Sequence, residues 1–171
     1  GHVRVSSASG GLRNSERSRR DLLSYNGLQL EAQFDPQRVS VVFGSTFNED
    51  GRIDARIATG WDDYAPLSGD VSLRTDSLTW MELLSPDIVE PTGLLEGRVA
   101  LSGTRAQPSL GGQAHLTNFE TDMPALGIEL RGGDVRLDAL PDGTARIAGT
   151  VRSGEGTLRV IGADQQTLFV A

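Results

Sequence analysis

Proton transfer and nucleophilic attack need a side chain that titrates or attacks near neutral pH, and this sequence offers few of them. It holds two histidines, His2 and His115, and no cysteine. Without cysteine, neither a disulfide framework nor a thiolate metal site can form. Gly1-His2 reads as the remainder of a cleaved tag, on a chain cut from a longer protein. His115 sits on the polar positions of an alternating stretch, where a solvated strand residue is the expected role. The acidic pairs Glu49-Asp50 and Asp62-Asp63 stand among turn residues. Asn48-Glu49-Asp50-Gly51 lacks the spaced carboxylates and closing Glu of a calcium loop. Gly154-Glu155-Gly156 is not followed by a helix pattern and so is no phosphate cradle. Trp61, Tyr64 and Trp80 are read as local packing, with a lip of a groove as the alternative. The chain is therefore expected to be no enzyme, with no catalytic residue, metal or cofactor.

Bulk composition narrows the partners. In 171 residues there are 16 basic and 23 acidic side chains, a net charge of −7, which weighs against nucleic acid. One basic run, Arg17-Ser18-Arg19-Arg20, is expected to be solvated, and residues 1–20 are read as tag remnant and arm, with a short strand at Val3-Arg4-Val5. No apolar run approaches the roughly 18 residues of a membrane helix. Twenty-one glycines and seven prolines announce many turns, and only 5% of residues are aromatic.

The elements that would position any site are strands. A phrase of glycine followed by two apolar residues at alternate places recurs from Gly93 to Gly162. It occurs as Gly97-Arg98-Val99-Ala100-Leu101, Gly112-Gln113-Ala114-His115-Leu116, Gly133-Asp134-Val135-Arg136-Leu137, Gly143-Thr144-Ala145-Arg146-Ile147 and Gly156-Thr157-Leu158-Arg159-Val160. Successive side chains of a strand point to opposite faces, so each phrase is aliphatic on one side and charged on the other. Upstream, Leu28 to Phe34, Val39 to Phe43, Ile53 to Ile57 and Gly69 to Leu73 alternate in the same way, and Asp50-Gly51 marks a hairpin. Thr167-Leu168-Phe169-Val170 opens a last strand. Ten to twelve strands are expected. The period changes once: Leu78, Met81 and Leu84 have helical spacing, with Asp76 or Ser77 as cap and Pro86 as stop, which predicts one short helix.

An all-β chain with so consistent an aliphatic face must hide it in a sandwich, in a closed barrel, or in a sheet curled around a groove. Inward positions are often small: Ala55, Gly69, Gly97, Gly112, Ala114, Ala145 and Gly149. Such positions leave space, which favours a groove over a filled core. Ten strands at about 4.8 Å would extend roughly 48 Å, a wall suited to an acyl chain.

The order Gly97-x-Val99-x-Leu101-Ser102-Gly103-Thr104, Pro108-Ser109-Leu110-Gly111-Gly112-x-Ala114-x-Leu116, Pro124-Ala125-Leu126-Gly127-Ile128-x-Leu130 and Gly149-Thr150-Val151-x-Ser153-Gly154-x-Gly156-x-Leu158-x-Val160-x-Gly162 resembles the C-terminal part of the bacterial TamB family, in the AsmA-like group. The likeness covers residues 93 to 162 and weakens from 92 back to 21. It implies a mostly meandering sheet curled into a U-shaped β-taco trough over residues 21–171, with a hydrophobic interior. The groove walls would be Val99, Leu101, Ala114, Leu116, Ile128, Leu130, Val135, Leu137, Ala145, Ile147, Val151, Leu158 and Val160. The same alternation extends them to Leu28, Leu30, Phe34, Val39, Val41, Phe43, Ile53, Ile57, Val71 and Leu73. The family resemblance further implies a periplasmic place in a Gram-negative envelope, in a protein anchored in the inner membrane by a part outside this chain. Its implied partners are phospholipid acyl chains and, through other parts of the protein, the outer-membrane barrel TamA. The reading that follows is a conduit for lipid between the two membranes. The alternatives are a scaffold that assists barrel-protein assembly by lending strand edges to clients, to neighbouring β segments or to itself, and an extracellular adhesion module.

Overall fold

A computed structural model describes residues 1–12, 23–48, 50–83, 85, 87–140 and 142–164. Ten strands form a single antiparallel sheet in which each strand pairs with its neighbours in sequence. They are β1 (His2–Leu12), β2 (Leu23–Phe34), β3 (Arg38–Phe47), β4 (Gly51–Gly60), β5 (Ser68–Ser77), β6 (Val89–Gly103), β7 (Pro108–Met123), β8 (Ile128–Ala139), β9 (Ala145–Ser153) and β10 (Gly156–Asp164). The all-β expectation holds. The sheet is an open single layer, neither closed nor strongly curled.

Turn chemistry accounts for the meander. β9 and β10 meet across a two-residue loop, Gly154-Glu155, with Ser153 facing Gly156 and Gly154 at a φ of 57°. Asn48 also takes a positive φ, 46°, between β3 and β4, a conformation asparagine tolerates. Its Oδ1 accepts the backbone N–H of Ser24 at 2.7 Å, tying this turn to β2.

Two local expectations are corrected. Residues 2–12 form a full edge strand instead of an arm with a three-residue strand, in register from His2 opposite Gln33 to Leu12 opposite Leu23. Main-chain hydrogen bonding to the free edge of β2 needs no apolar side chains, so a Ser/Gly-rich text still pairs. The expected helix is a single 3-10 turn, Thr79–Leu83. Leu78, just before it, is fully buried, and anchoring that residue against the sheet competes with continued helical winding. Leu84, Pro86, Glu49, the Arg17–Arg20 run and the Thr167–Val170 stretch lie outside the described residues.

Register shifts occur in β2–β3 between Asn26 and Gln29, in β5–β6 at Thr75 to Ser77, in β6–β7 from Val89 to Leu94, in β7–β8 from Leu116 to Thr121, and in β8–β9 from Arg131 to Asp134. From β5 to β9 they adjoin one another and mark a line across the sheet. Each bulge raises the local twist and bends its strand. The half of the sheet beyond this line carries the 3-10 turn, and there Thr75, Leu78, Pro91 and Thr121 are buried.

Candidate functional site

Cross-strand pairing decides which side chains share a face. One row runs Val5, Leu30, Phe43, Ala55, Val71, Val99, Gly112, Ala139, Ala145 and ends on Asp164 at the corner of the sheet. The next runs Ser45, Ile53, Leu73, Gly97, Ala114, Leu137, Ile147, Gly162. A third runs Val3, Ala32, Val41, Ile57, Gly69, Leu101, Leu110. On the far side of the centre a fourth runs Thr75, Leu95, Leu116, Val135, Gly149, Val160. Because the side-chain period is two, these rows and their alternate neighbours belong to one face.

All twenty-three residues expected to line a groove fall on that face, from Leu28 on β2 to Val160 on β10. Most are half-buried; Val151 is 7% exposed, while Phe34 and Leu158 are 38% and 50% exposed. Val3, Val5, Leu95, Leu110 and Phe119 share the face as well, and their alternation with polar neighbours is the signal that could have found them. Half-burial comes from neighbouring side chains in the same layer. Among the described residues only Leu78 and Val151 are buried hydrophobics, so the sheet has no core in the usual sense.

Three glycines set the shape of this face. A Cβ at Gly112 would lie 2.2 Å from the Arg98 carbonyl oxygen and 2.8 Å from Val99 Cα, and Gly112 has a φ of 153°. Gly69 and Gly149 show the same close approach, to the carbonyl oxygens of Arg56 at 2.6 Å and Asp134 at 2.4 Å. Each stands opposite a branched residue, Ile57, Val99 or Val135, in the hairpins β4–β5, β6–β7 and β8–β9. The backbones approach where a side chain would hold them apart, leaving shallow places in the aliphatic wall.

The opposite face is charged, and its charges pair both across strands and along them. Arg4 and His2 meet Glu31 at 2.7 and 2.9 Å, Arg52 meets Asp54 at 2.6 Å, and Arg74 pairs with Glu96. Arg131 reaches Asp122 at 2.6 Å and Glu129 at 3.3 Å, and donates to the Thr121 carbonyl at 3.1 Å. The Arg4 hydrogen bond, with His2 beside it, holds the Glu31 carboxyl below its ordinary pKa, and the Arg52 hydrogen bond does the same for Asp54. Shallow concavities open on this side; one of about 520 Å³ is bordered by Arg52, Arg74, Glu96, Arg98 and Arg136. Their lining is mixed, with charged heads standing beside aliphatic side chains such as Val41, Val42, Ile57 and Ala58.

The remaining candidates for chemistry are scattered. His115 lies on the charged face with Nε2 3.0 Å from Asp134 Oδ1, a cross-strand contact with no nucleophile in it. Asp62 caps its own loop by accepting the Tyr64 N–H at 2.9 Å, and Asp63 lies 3.8 Å from Arg105. The indole of Trp61 donates to the Asp35 carbonyl at 2.7 Å, Tyr64 is 84% exposed, and Trp80 sits in the 3-10 turn. Among the described residues no group of three or more His, Cys, Asp or Glu could hold a metal ion, and no helix is long and apolar enough to cross a membrane. Comparison with protein-family models, with curated proteins and with solved structures finds no match to the chain.

Proposed function

We propose that this chain is a non-enzymatic segment of a hydrophobic groove that carries lipid acyl chains between two membranes, within a periplasmic machine for outer-membrane biogenesis. In the longer protein, anchored in the inner membrane, the sheet would curl further, toward its aliphatic face, into a U-shaped trough. The observation that carries this reading is the aliphatic face itself: one-sided, predominantly aliphatic from strand to strand, and without a covering layer among the described residues. The TamB-like order of residues 93–162 adds the location and the barrel partner TamA.

The mechanism asks little of any single residue. A hydrocarbon tail leaving a bilayer loses about 0.8 kcal/mol per CH₂ and regains a similar amount against an equally apolar wall. The headgroup stays in water, so exchange is close to neutral and needs continuity more than affinity. Shallow places at Gly69, Gly112 and Gly149 let a tail lie across the strands between Ile57, Val71, Leu137 and Ile147.

Mass spectrometry of material co-purifying with the protein tests this reading. Phospholipid is expected with the native chain and with Arg146→Asp on the charged face. It is expected to be lost from Ile147→Asp while the β signature in circular dichroism is retained. Equal lipid on Ile147→Asp and the native chain refutes the conduit. A second reading, a scaffold that lends strand edges, is favoured by one feature: among the described residues β1 and β10 end the sheet with no further strand beside them. Crosslinkers on Thr157 would then capture client protein, where crosslinkers on Leu137 capture lipid.

A further inference from the structure

We propose that, in water without lipid, the aliphatic face seats a second copy of this chain, so that two single-layer sheets stack into a two-layer sandwich. The inference rests on the reading of that face as a surface covered reversibly, because lipid and the second copy would compete for it.

The size of the face argues for an occupant. Ten strands at about 4.8 Å, with about nine residues each at roughly 3.4 Å, give a face of about 45 by 30 Å, or about 1,400 Å² per copy. Solitary soluble proteins rarely expose one apolar patch above roughly 300–600 Å². Two such faces brought together would bury about 2,800 Å², beyond the roughly 1,200–2,000 Å² of a stable specific interface. Val5 and Leu158, on the two outermost strands, are each 50% exposed, and Val71, Val99 and Leu137 between them are half-buried, none of them covered.

The chemistry of the face argues for a copy of itself. A two-fold contact needs one patch that is complementary to itself. From β1 to β9 the four rows contain no charged residue, and on β10 one of them ends at the sheet corner on Asp164, opposite Ala145, so across the body of the face no buried charge opposes the approach of an identical face. Sheets whose inner faces are aliphatic pack about 10 Å apart, and the charged faces with their ion pairs stay outside in water. The edges, by contrast, are narrow, and main-chain pairing along one strand covers none of the aliphatic face. Joining β10 of one copy to β1 of the next would extend the single layer and leave that face in water.

Light scattering coupled to gel filtration tests the proposal on the intact chain in detergent-free buffer. Twice the 18.3 kDa chain mass is expected at micromolar concentration. Adding dodecylphosphocholine below its micelle concentration is expected to halve that mass. Leu137→Glu and Val99→Glu, each checked for retained β structure, are expected to weaken dimerisation at least tenfold. Ile161→Lys, on the charged face and 74% exposed, is expected to leave it unchanged. A monomer at 100 µM in lipid-free buffer overturns the proposal, and so does a dimer that Ile161→Lys dissolves and Leu137→Glu does not. A monomer that still holds phospholipid would sink the dimer and spare the conduit; a dimer that never takes up lipid would do the reverse.

Discussion

Gly112 is the place where this sheet tolerates change least. Alanine there would set a methyl carbon 2.2 Å from the Arg98 carbonyl oxygen and 2.8 Å from Val99 Cα, distances that real Cβ atoms essentially never show. Its φ of 153° is also one that L-residues avoid, which costs of order 1–3 kcal/mol when enforced. Relief requires β6 and β7 to separate by close to an ångström, and weakening one or two ladder hydrogen bonds adds about 1 kcal/mol each. Gly112→Ala should therefore lose about 3 kcal/mol, which in a chain of this length lowers Tm by about 6–12 °C. Two controls separate the contributions. At Gly143, with a φ of 86°, an added methyl group would meet nothing within 4 Å, so Gly143→Ala carries only the backbone strain, about 1 kcal/mol. Gly156→Ala meets only the Ser153 carbonyl at 3.4 Å and should be neutral or slightly stabilising, since alanine restricts the unfolded chain. Thermal unfolding followed by far-UV circular dichroism at one fixed protein concentration should rank Gly112→Ala well below Gly143→Ala, and that below Gly156→Ala. Equal losses for Gly112→Ala and Gly143→Ala would refute the close-approach reasoning.

Other outcomes follow from the same geometry. Leu78→Ala removes a fully buried side chain and should cost about 3 kcal/mol in urea denaturation, with amide exchange accelerated first in residues 75–92. Arg131→Met removes bonds to Asp122, Glu129 and the Thr121 carbonyl at the β7–β8 bulge, and should cost about 1–2 kcal/mol with little salt dependence in its backbone part. Glu31, Asp54 and Asp142 all have folded pKa values below their ordinary ones, through Arg4, Arg52 and Thr144 respectively. Their contribution is therefore complete above the unfolded carboxylate range of about 4 and is lost as pH falls through the lowered folded values. Tm should hold steady from pH 8 to 5 through these groups and fall below pH 4, and Arg4→Met should shrink the Glu31 share of that fall, leaving the part held by His2.

Much of the fold is legible in the sequence because a period of two carries both the element type and the face. Val99, Leu101, Ala114 and Leu116 are apolar at alternate places, and that alone commits them to one side whatever the register turns out to be. Antiparallel hairpins then align the phrases, so the face of Leu28 matches that of Val160 across the strands between them. What alternation lacks is any term for curvature. A flat sheet, a trough and a barrel share one pattern, and the difference lies in twist, bulges and close approaches such as Gly112 against Arg98. Most of β1 is illegible because Ser6, Ser7, Ser9, Gly10 and Gly11 carry no pattern; its order comes from backbone groups meeting the edge of β2. Leu78 and Met81 have helical spacing for a different reason, since one turn that anchors a single buried leucine needs only that much periodicity. The candidate site is legible as a surface and not as a cavity, because the second wall belongs to nothing encoded in the strand phrases themselves.

The order of the strands gives this surface its logic. Every strand pairs only with its neighbours in the chain, so each hairpin adds a fixed increment of ladder and of aliphatic wall, much as each unit does in a repeat protein. Length can then change by whole hairpins without redesigning a core, because the sheet has none to redesign. The cost falls on the uncovered face, which grows in step with the ladder. A chain that keeps its face aliphatic across ten strands, and places its ion pairs on the other side, retains a property that ordinary selection for a stable monomer would remove. Scattered polar substitutions on the open face would raise solubility at little cost in hydrogen bonding. Ser45 and Thr75 stand in flanking rows, but no polar residue stands in the row from Phe43 through Val71 and Val99 to Ala145, as the proposed contact with hydrocarbon requires.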